Sequence, residues 1–229
     1  MCGRFSITDP RQLALRFDLA ALAELPPRFN VAPTQPVPTL VHGRGAPGES
    51  GGRVLVLARW GLIPSWAKDP AVASRMINAR AESLEAKPAF REALHARRCL
   101  VLADGFFEWK KEGRERRPFF LHLASGEPFA FAGLWDEWRA PDGELLRTCT
   151  IVTTDANALV EPIHDRMPAI LLPDAEARWL DPTVQDLADL VDLLQPYPSH
   201  RMEAFEVTSL VNKPANDEPA CVARVATRS

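Results

Sequence analysis

A cysteine stands second in the sequence, in the run Met1-Cys2-Gly3-Arg4. Because initiator methionine is ordinarily removed when a small residue follows it, we expect the mature chain to begin at Cys2. A terminal cysteine carries a thiol and an α-amine, whose reference pKa values are about 8.5 and about 7.7–8.0. The amine can condense with an aldehyde, and the thiolate can then close on the imine carbon to give a thiazolidine. The alternative interpretation is that cysteine stands at this position by accident of the translation start and has no chemical role.

Three further polar clusters interrupt apolar stretches, at residues 77–82, 104–109 and 163–168. Each places an amide, a carboxylate, an imidazole or a guanidinium among residues that are expected to be buried. Burial of such groups is costly unless they are paired with one another. We therefore expect these clusters to meet the amino-terminal one in a single pocket.

Glu108 is the clearest candidate for proton transfer. Strand alternation places Phe106 and Glu108 on one face, and Phe107 and Trp109 on the other. Desolvation among aromatic side chains is expected to raise the carboxyl pKa, which suits a general acid or base. A structural ion pair with an arginine is the alternative interpretation.

The other polar clusters supply an imidazole, an amide and guanidinium groups. His164 lies in a compact polar run and can act as acid and base in turn, although a core or surface role is the alternative. Asn78 offers an amide that can orient a reacting group, and Arg80 a guanidinium suited to phosphate. Arg4 is expected to lower the pKa of the neighbouring Cys2 thiol and to favour an anionic substrate.

Tryptophans provide candidates for stacking on exposed bases. Trp60, Trp66 and Trp109 are the candidates, as in sites that bind single strands. A place in the core is the alternative for each of them. Trp135 and Trp138 are expected to belong to the core.

The composition limits the class of protein and its partners. The chain has 229 residues, of which 46% are hydrophobic and 25% charged. These values are typical of a globular protein that can bury a core. The net charge of −3 gives no global field that would recruit nucleic acid. A polyanion would have to be met by a local basic patch.

The cysteines and the absent motifs exclude several classes. Cys2, Cys99, Cys149 and Cys221 are scattered without a C-x-x-C pair, which argues against structural zinc and a disulfide framework. Nucleotide-binding, zinc-peptidase and serine-hydrolase motifs are missing. We expect no metal and no cofactor. With no signal peptide or apolar span evident, we expect a cytoplasmic protein.

The order of predicted elements indicates one α+β domain over residues 1–229. Its core is expected to be a curved antiparallel or mixed sheet, or a barrel-like one, flanked by short helices. A loop at 43–52 and a tail at 222–229 are expected to be peripheral. Helices are predicted at about 9–24, 87–96, 174–180 and 183–194. Strands are predicted at about 37–42, 53–59, 98–103, 105–110, 118–123, 129–138, 145–154, 167–172 and 201–207.

Six motifs, taken in order, resemble the SOS-response-associated peptidase family, whose members protect abasic sites in single-stranded DNA by crosslinking to them. The resemblance runs from residue 2 to about residue 220. The motifs lie at residues 1–4, 29–33, 60–62, 78–82, 104–109 and 163–168.

The resemblance implies roles for individual residues. Cys2 would form a thiazolidine with the ring-opened abasic sugar, and Asn78, Glu108 and His164 match the family's other active-site positions. Single-stranded DNA containing abasic sites would be the partner of a monomer that is nucleoid-associated when bound. The candidates for binding DNA are Arg4, Asn30, Trp66, Arg80 and Arg166.

Other activities remain open at this point. The family name implies peptidase activity, which we expect to be limited to removal of Met1, and reversal of the crosslink or weak lyase activity is left open. An N-terminal-nucleophile amidohydrolase also begins Met-Cys-Gly, but Arg4-Phe5-Ser6 departs from its usual continuation. A non-covalent binder of single-stranded DNA, with Cys2 irrelevant, is the third alternative.

Overall fold

Twelve strands and four α-helices make up the regular structure of a computed structural model, which describes residues 2–43 and 52–225. The helices are α1 (Pro10–Phe17), α2 (Pro88–Ala96), α3 (Pro173–Leu180) and α4 (Leu187–Asp192). The strands are β1 (Phe5–Ile7), β2 (Arg28–Val31), β3 (Pro36–His42), β4 (Arg53–Trp60), β5 (Asn78–Arg80), β6 (Arg98–Ala103), β7 (Gly105–Glu112), β8 (Glu115–Leu123), β9 (Phe129–Arg139), β10 (Leu145–Asp155), β11 (Arg166–Pro168) and β12 (Met202–Glu206).

Five strands form a closed barrel in the order β10-β4-β3-β6-β9, which the pairing of β9 with β10 completes. The carboxyl-terminal part of the long strand β10 also pairs with two short strands, antiparallel with β11 and parallel with β5. Along β10, Cys149 lies opposite Trp60 and Ile151 opposite Asn78. Since β4 and β5 both run parallel to β10, β5 continues along β10 where β4 ends. The barrel thus places Asn78 just beyond Trp60.

A second sheet has the order β12-β8-β7-β1-β2 and is antiparallel throughout. It meets the barrel through Phe5, whose ring centroid lies 5.1 Å from that of Trp60 and 5.9 Å from that of Phe131. All three side chains are fully buried. Burying one such ring contributes roughly 1.5–3 kcal/mol, so the strand that follows Cys2 is fixed against the barrel.

The helices begin at residues that favour the first turn of a helix. α1, α2 and α3 all have proline in the first helical turn, and the Asp9 carboxylate caps α1 by accepting hydrogen bonds from the amides of Arg11 and Gln12. No helix in residues 2–43 and 52–225 has the length and apolar character needed to cross a membrane.

The predicted fold class is confirmed: the chain is a single α+β domain with a closed five-stranded barrel, a second sheet and short helices. Several predicted bounds are wrong, and the helix predicted at 183–194 is the shorter α4 (Leu187–Asp192). The helix predicted at 9–24 ends at Phe17, because Asp18 takes a left-handed conformation with φ of 54° before a 3-10 turn. The strand predicted at 167–172 is the short β11. The predicted loop at 43–52 lies largely outside the described residues, as do residues 226–229 of the predicted tail.

Candidate active site

Strand pairing places Glu108 beside the cysteine. β1 pairs with β7 so that Phe5 lies opposite Phe106, and the amide of Phe107 donates a hydrogen bond of 3.0 Å to the carbonyl of Arg4. Continuing this antiparallel register brings Gly3 opposite Glu108. The carboxylate therefore lies next to Cys2 in space although 106 positions separate them in the chain.

Asn78 fixes the cysteine from the barrel side. Its Nδ2 donates a hydrogen bond of 2.8 Å to the carbonyl oxygen of Cys2. The amide Oδ1 of Asn78 is buried and accepts no hydrogen bond from the described residues. A buried acceptor left unsatisfied is costly, and a donor supplied by a bound ligand would satisfy it.

The Cys2 thiol is fully buried, and its Sγ lies 3.7 Å from the carbonyl oxygen of Arg4. Burial, followed by the nearby charge of Glu108, raises the pKa of this thiol well above its ordinary value. The prediction that Arg4 lowers the thiol pKa is therefore wrong. The guanidinium of Arg4 instead donates a hydrogen bond of 2.9 Å to the carbonyl of Gly3. At neutral pH the thiol is protonated and requires a base.

Glu108 has the properties of such a base. It is 2% exposed, and burial, with a smaller contribution from the charge of Asp165, raises its carboxyl pKa to about 7. The predicted direction of the pKa shift is confirmed. Near pH 7 the carboxyl is present in both protonation states, so it can accept and return a proton within one reaction.

His164 lies at the start of the turn into β11. Burial lowers its pKa, so the imidazole is neutral at pH 7. Its Nδ1 lies 3.0 Å from the amide nitrogen of Arg166, which donates to it, and 2.9 Å from the carboxylate of Asp165. Because Nδ1 accepts the hydrogen bond from this amide, it carries no hydrogen in the neutral ring. The Nε2 atom of His164 then carries the proton and is a donor.

Arg166 is committed to carboxylates of its own chain. Its guanidinium donates to both carboxylate oxygens of Glu82, at 2.8 and 3.0 Å, and to Asp155 at 2.6 Å. A further hydrogen bond of 2.7 Å goes to the carbonyl of Thr153. Sequence reasoning missed both acidic partners, although Glu82 belongs to one of the polar clusters. These bonds fix the turn that carries His164.

Asn30 is also engaged within the chain. It is fully buried, and its Nδ2 donates hydrogen bonds of 2.7–3.2 Å to the carbonyls of Val211, Lys213 and Asn216. Its backbone amide donates to Asp217 at 2.9 Å. Asn30 therefore fastens the segment 211–217 to β2. Its predicted contact with DNA stays a prediction.

The tryptophans differ in exposure. Trp60 is fully buried and its Nε1 donates a hydrogen bond of 2.8 Å to the carbonyl of Ile77, so its predicted role in stacking is wrong. Trp109 is half-buried and donates to Asn212 at 2.7 Å. Trp66 is 62% exposed, and Arg80 is also exposed. Both groups are available to a ligand.

Asp104 was not predicted as a separate feature, although it opens one of the polar clusters. Its carboxylate accepts hydrogen bonds from the hydroxyls of Ser6 and Thr8, at 2.6 and 2.8 Å, and from the backbone amides of Thr8 and Asp9. These bonds fix the end of β1 to the start of β7. The register that sets Cys2 beside Glu108 therefore has its own polar clamp.

Comparisons with known proteins identify the family. Residues 1–214 match the model of the family SOS response associated peptidase (SRAP). The abasic site processing protein YoqW of Bacillus subtilis (strain 168) is 43% identical over 227 residues, covering 97% of this chain and 99% of the relative. The abasic site processing protein HMCES of Xenopus tropicalis is 32% identical, covering 87% of this chain and 66% of the relative.

A solved structure has a similar fold. The crystal structure of a Bacteroides thetaiotaomicron protein superimposes with a TM-score of 0.85 at 28% sequence identity, covering 98% of this chain and all of that one. The fold and the matched length agree with the family model. The chain belongs to the SOS response associated peptidase family, as the sequence motifs indicated.

Proposed function

We propose that this protein processes abasic sites in single-stranded DNA by forming a thiazolidine between Cys2 and the ring-opened deoxyribose. The relatives named as abasic site processing proteins support the substrate. The observation that carries the chemistry is the hydrogen bond of 2.8 Å from Asn78 to the carbonyl of Cys2, next to a buried carboxyl with a pKa of about 7. Removal of Met1 exposes the α-amine that this reaction needs.

The first step is opening of the sugar. An abasic deoxyribose exists mainly as a closed hemiacetal, so its ring oxygen must gain a proton while the C1 hydroxyl loses one. The Nε2–H of neutral His164 is a suitable donor to the ring oxygen, because the Arg166 amide occupies Nδ1. The ring C–O bond breaks, the proton of the C1 hydroxyl replaces the one given up by Nε2 of His164, and the aldehyde forms.

The second step is condensation of the amine with the aldehyde. A carboxyl of pKa about 7 and an α-amine of reference pKa about 7.7–8.0 exchange a proton at little cost in free energy. Glu108 therefore deprotonates the ammonium, and the amine attacks C1 to give a carbinolamine. Glu108 then returns the proton to the departing hydroxyl. One water leaves, and a protonated imine remains.

The third step closes the ring. The Cys2 thiol adds to the carbon of the protonated imine, so a C–S bond forms while the thiol proton passes to the carboxylate of Glu108. Burial keeps the thiol protonated, so proton transfer through Glu108 accompanies this addition. The overall change is aldehyde plus amine plus thiol giving thiazolidine plus water, without oxidation. The unsatisfied Oδ1 of Asn78 can accept a hydrogen bond from the carbinolamine or the amine.

The Cys2 thiol determines whether the lesion is shielded by a closed ring or the DNA strand is cleaved. An imine that does not close leaves the sugar open to β-elimination, which breaks the strand. A chain with the amine but no thiol at position 2 would therefore act as a weak lyase. For the DNA itself, we propose that Arg4 and Arg80 meet phosphates and that Trp66 stacks on a base. Arg166 and Asn30 position the cleft through their hydrogen bonds within the chain, and their predicted contacts with DNA stay predictions.

The experiment mixes the purified protein with a single-stranded oligonucleotide that contains one abasic site. The products are separated on a denaturing gel, and their intact masses are measured by mass spectrometry. The expected product has the mass of protein without Met1 plus DNA, less one water, and survives heating. A stable adduct of equal yield from the Cys2→Ala variant would exclude the thiazolidine. Absence of any covalent species with the unaltered protein would exclude the crosslink itself and leave a non-covalent binder.

A further inference from the structure

β1 is a short strand whose position on β7 determines where the amino terminus lies. It spans Phe5–Ile7. In its pairing with β7, Phe5 lies opposite Phe106 and Ser6 opposite Gly105. Its pairing with β2 on the other side is irregular, because the register shifts within β1. The backbone ladder therefore resists a small displacement of β1 along β7 only weakly.

The side chain of Asp104 ties the end of β1 to the start of β7. Its Oδ1 accepts a hydrogen bond of 2.6 Å from the hydroxyl of Ser6. Its Oδ2 accepts hydrogen bonds from the backbone amide of Thr8, from the hydroxyl of Thr8 at 2.8 Å and from the amide of Asp9 at 3.2 Å. The amide of Asp104 itself donates at 3.1 Å to the carbonyl of Ser6. One residue thus holds β1 at the position that precedes β7.

The donors that contact the Asp104 side chain are neutral. They are two hydroxyls and two backbone amides. An asparagine at this position has an amide oxygen for the three donors to Oδ2, and its NH2 group can donate to the hydroxyl of Ser6. That hydroxyl can turn to the carbonyl of Gly105, 3.3 Å away. The clamp therefore depends on hydrogen-bond geometry, and a charge on the side chain is not needed for it.

The two reactions of the imine differ in their need for this register. Ring closure requires the thiol of Cys2 at C1 of the sugar, and it requires Glu108 on β7 to take the thiol proton. In β-elimination a proton leaves C2 of the sugar, the C3–O bond breaks and the phosphate departs with the bonding electrons, without the thiol. A displacement of about 1 Å between reacting groups lowers a rate about 100-fold. Loss of the register therefore slows closure more than elimination.

We propose that Asp104 is a positioning residue that determines how much of the imine closes to the thiazolidine and how much breaks the DNA strand. This inference rests on the proposed function. The carboxylate joins β1, which follows Cys2, to β7, which carries Glu108. It therefore sets the distance between the thiol and its base from the end of β1 that lies away from the reacting groups.

The test follows an oligonucleotide with one abasic site in a single turnover, and a denaturing gel separates the crosslinked from the cleaved strand. We expect Asp104→Ala to slow crosslinking about 10- to 100-fold and to raise the ratio of cleaved to crosslinked strand about 10-fold. Asp104→Asn should keep both values within about threefold of the parent, since it keeps the acceptor. Thr8→Val, which loses one hydroxyl bond, should raise the ratio about twofold and covers the case in which Asp104→Ala does not fold.

Asp9→Ala is the matched control, because it removes a carboxylate that caps α1 and so lowers stability without a change at the junction of β1 and β7. Its backbone amide still reaches Asp104, and its crosslinking rate and ratio should match those of the parent. Hydrogen exchange of the Phe107 amide, which donates at 3.0 Å to the carbonyl of Arg4, reports on the junction without DNA. Asp104→Ala should speed this exchange about 10-fold more than Asp9→Ala does.

The outcomes separate this inference from the proposed function. Slower crosslinking with an unchanged ratio in Asp104→Ala would show a general structural role and would overturn the inference. A ratio in Asp104→Asn equal to that in Asp104→Ala would assign the effect to charge and would overturn it as well. If the parent gave no covalent product, the proposed crosslink would fail, while faster exchange at Phe107 in Asp104→Ala would still show that Asp104 holds the junction. Unchanged exchange there would overturn the clamp itself.

Discussion

The amide of Asn78 holds the carbonyl of Cys2 at 2.8 Å, and the two residues belong to different sheets. Asn78 lies on β5, which pairs with β10 of the barrel, whereas Cys2 precedes β1 of the second sheet. This hydrogen bond therefore crosses the junction between the two sheets. The position of the nucleophile depends on how the sheets pack as well as on local chain geometry.

Asn78→Ala removes this bond, and we expect the crosslinking rate at saturating abasic DNA to fall about 10- to 100-fold. Loss of one hydrogen bond that orients a reacting group accounts for this size. Single-turnover kinetics on a denaturing gel measure it. Ser83→Ala is the control, since it loses a nearby hydrogen bond of 3.3 Å to the carbonyl of Arg80. A parent-like rate for Asn78→Ala would remove Asn78 from the mechanism.

The pH dependence of crosslinking should follow Glu108. Its pKa of about 7 means that the base form grows as the pH rises through 7, so the rate should rise there and level off above it. Glu108→Gln cannot exchange the proton, and we expect its rate to be lower by about 100-fold or more and to lack the inflection near pH 7. Rates between pH 5 and 9 test this. An inflection that persists in Glu108→Gln belongs to another group.

Glu108 should also destabilise the fold at alkaline pH. Its folded pKa of about 7 exceeds the ordinary value of 4.5, so the folded state binds this proton more tightly than the unfolded state does. The stability that protonation contributes is complete below pH 4.5 and is lost as the pH rises through 7. Relative to the parent, Glu108→Gln should gain roughly 3 kcal/mol of unfolding free energy between pH 4.5 and 8. Urea unfolding at several pH values measures the difference, and a pH-independent difference would contradict the assigned pKa.

Gly105→Ala should destabilise the second sheet. A Cβ atom at this position would overlap the ring of Phe120, so that ring or β7 must move. Overpacking of this kind costs about 1–3 kcal/mol. A lower urea midpoint with an unchanged slope is the expected result. Phe120→Leu in the same chain should recover part of the loss, and additive losses in the double variant would count against the steric explanation.

The sequence predicted the longer strands because their patterns are local. Alternating and continuous apolar runs locate β6 and β9 within a residue or two. β1, β2 and β5 have three or four residues each and depend on partners far away in the chain. Such short segments show no period of their own, so sequence patterns do not reveal them.

The candidate site was predicted incompletely, because some of its properties also depend on distant parts of the chain. Motif spacing identified Cys2, Asn78 and Glu108, which the structure brings together. The raised pKa of the Cys2 thiol and the ion pairs of Arg166 with Glu82 and Asp155 were not predicted. Both depend on how deeply a side chain is buried and on which distant carboxylates reach it. Those quantities follow from packing between elements.

β1 has a mechanical consequence for a DNA strand attached at Cys2. β1 is hydrogen-bonded on one side to β2 and on the other to β7. A force applied at Cys2 along β1 would load these bonds in shear, so that several must break together. Peeling a strand sideways breaks them one at a time and needs less force. An adduct at this position would therefore resist traction from enzymes that move along the DNA.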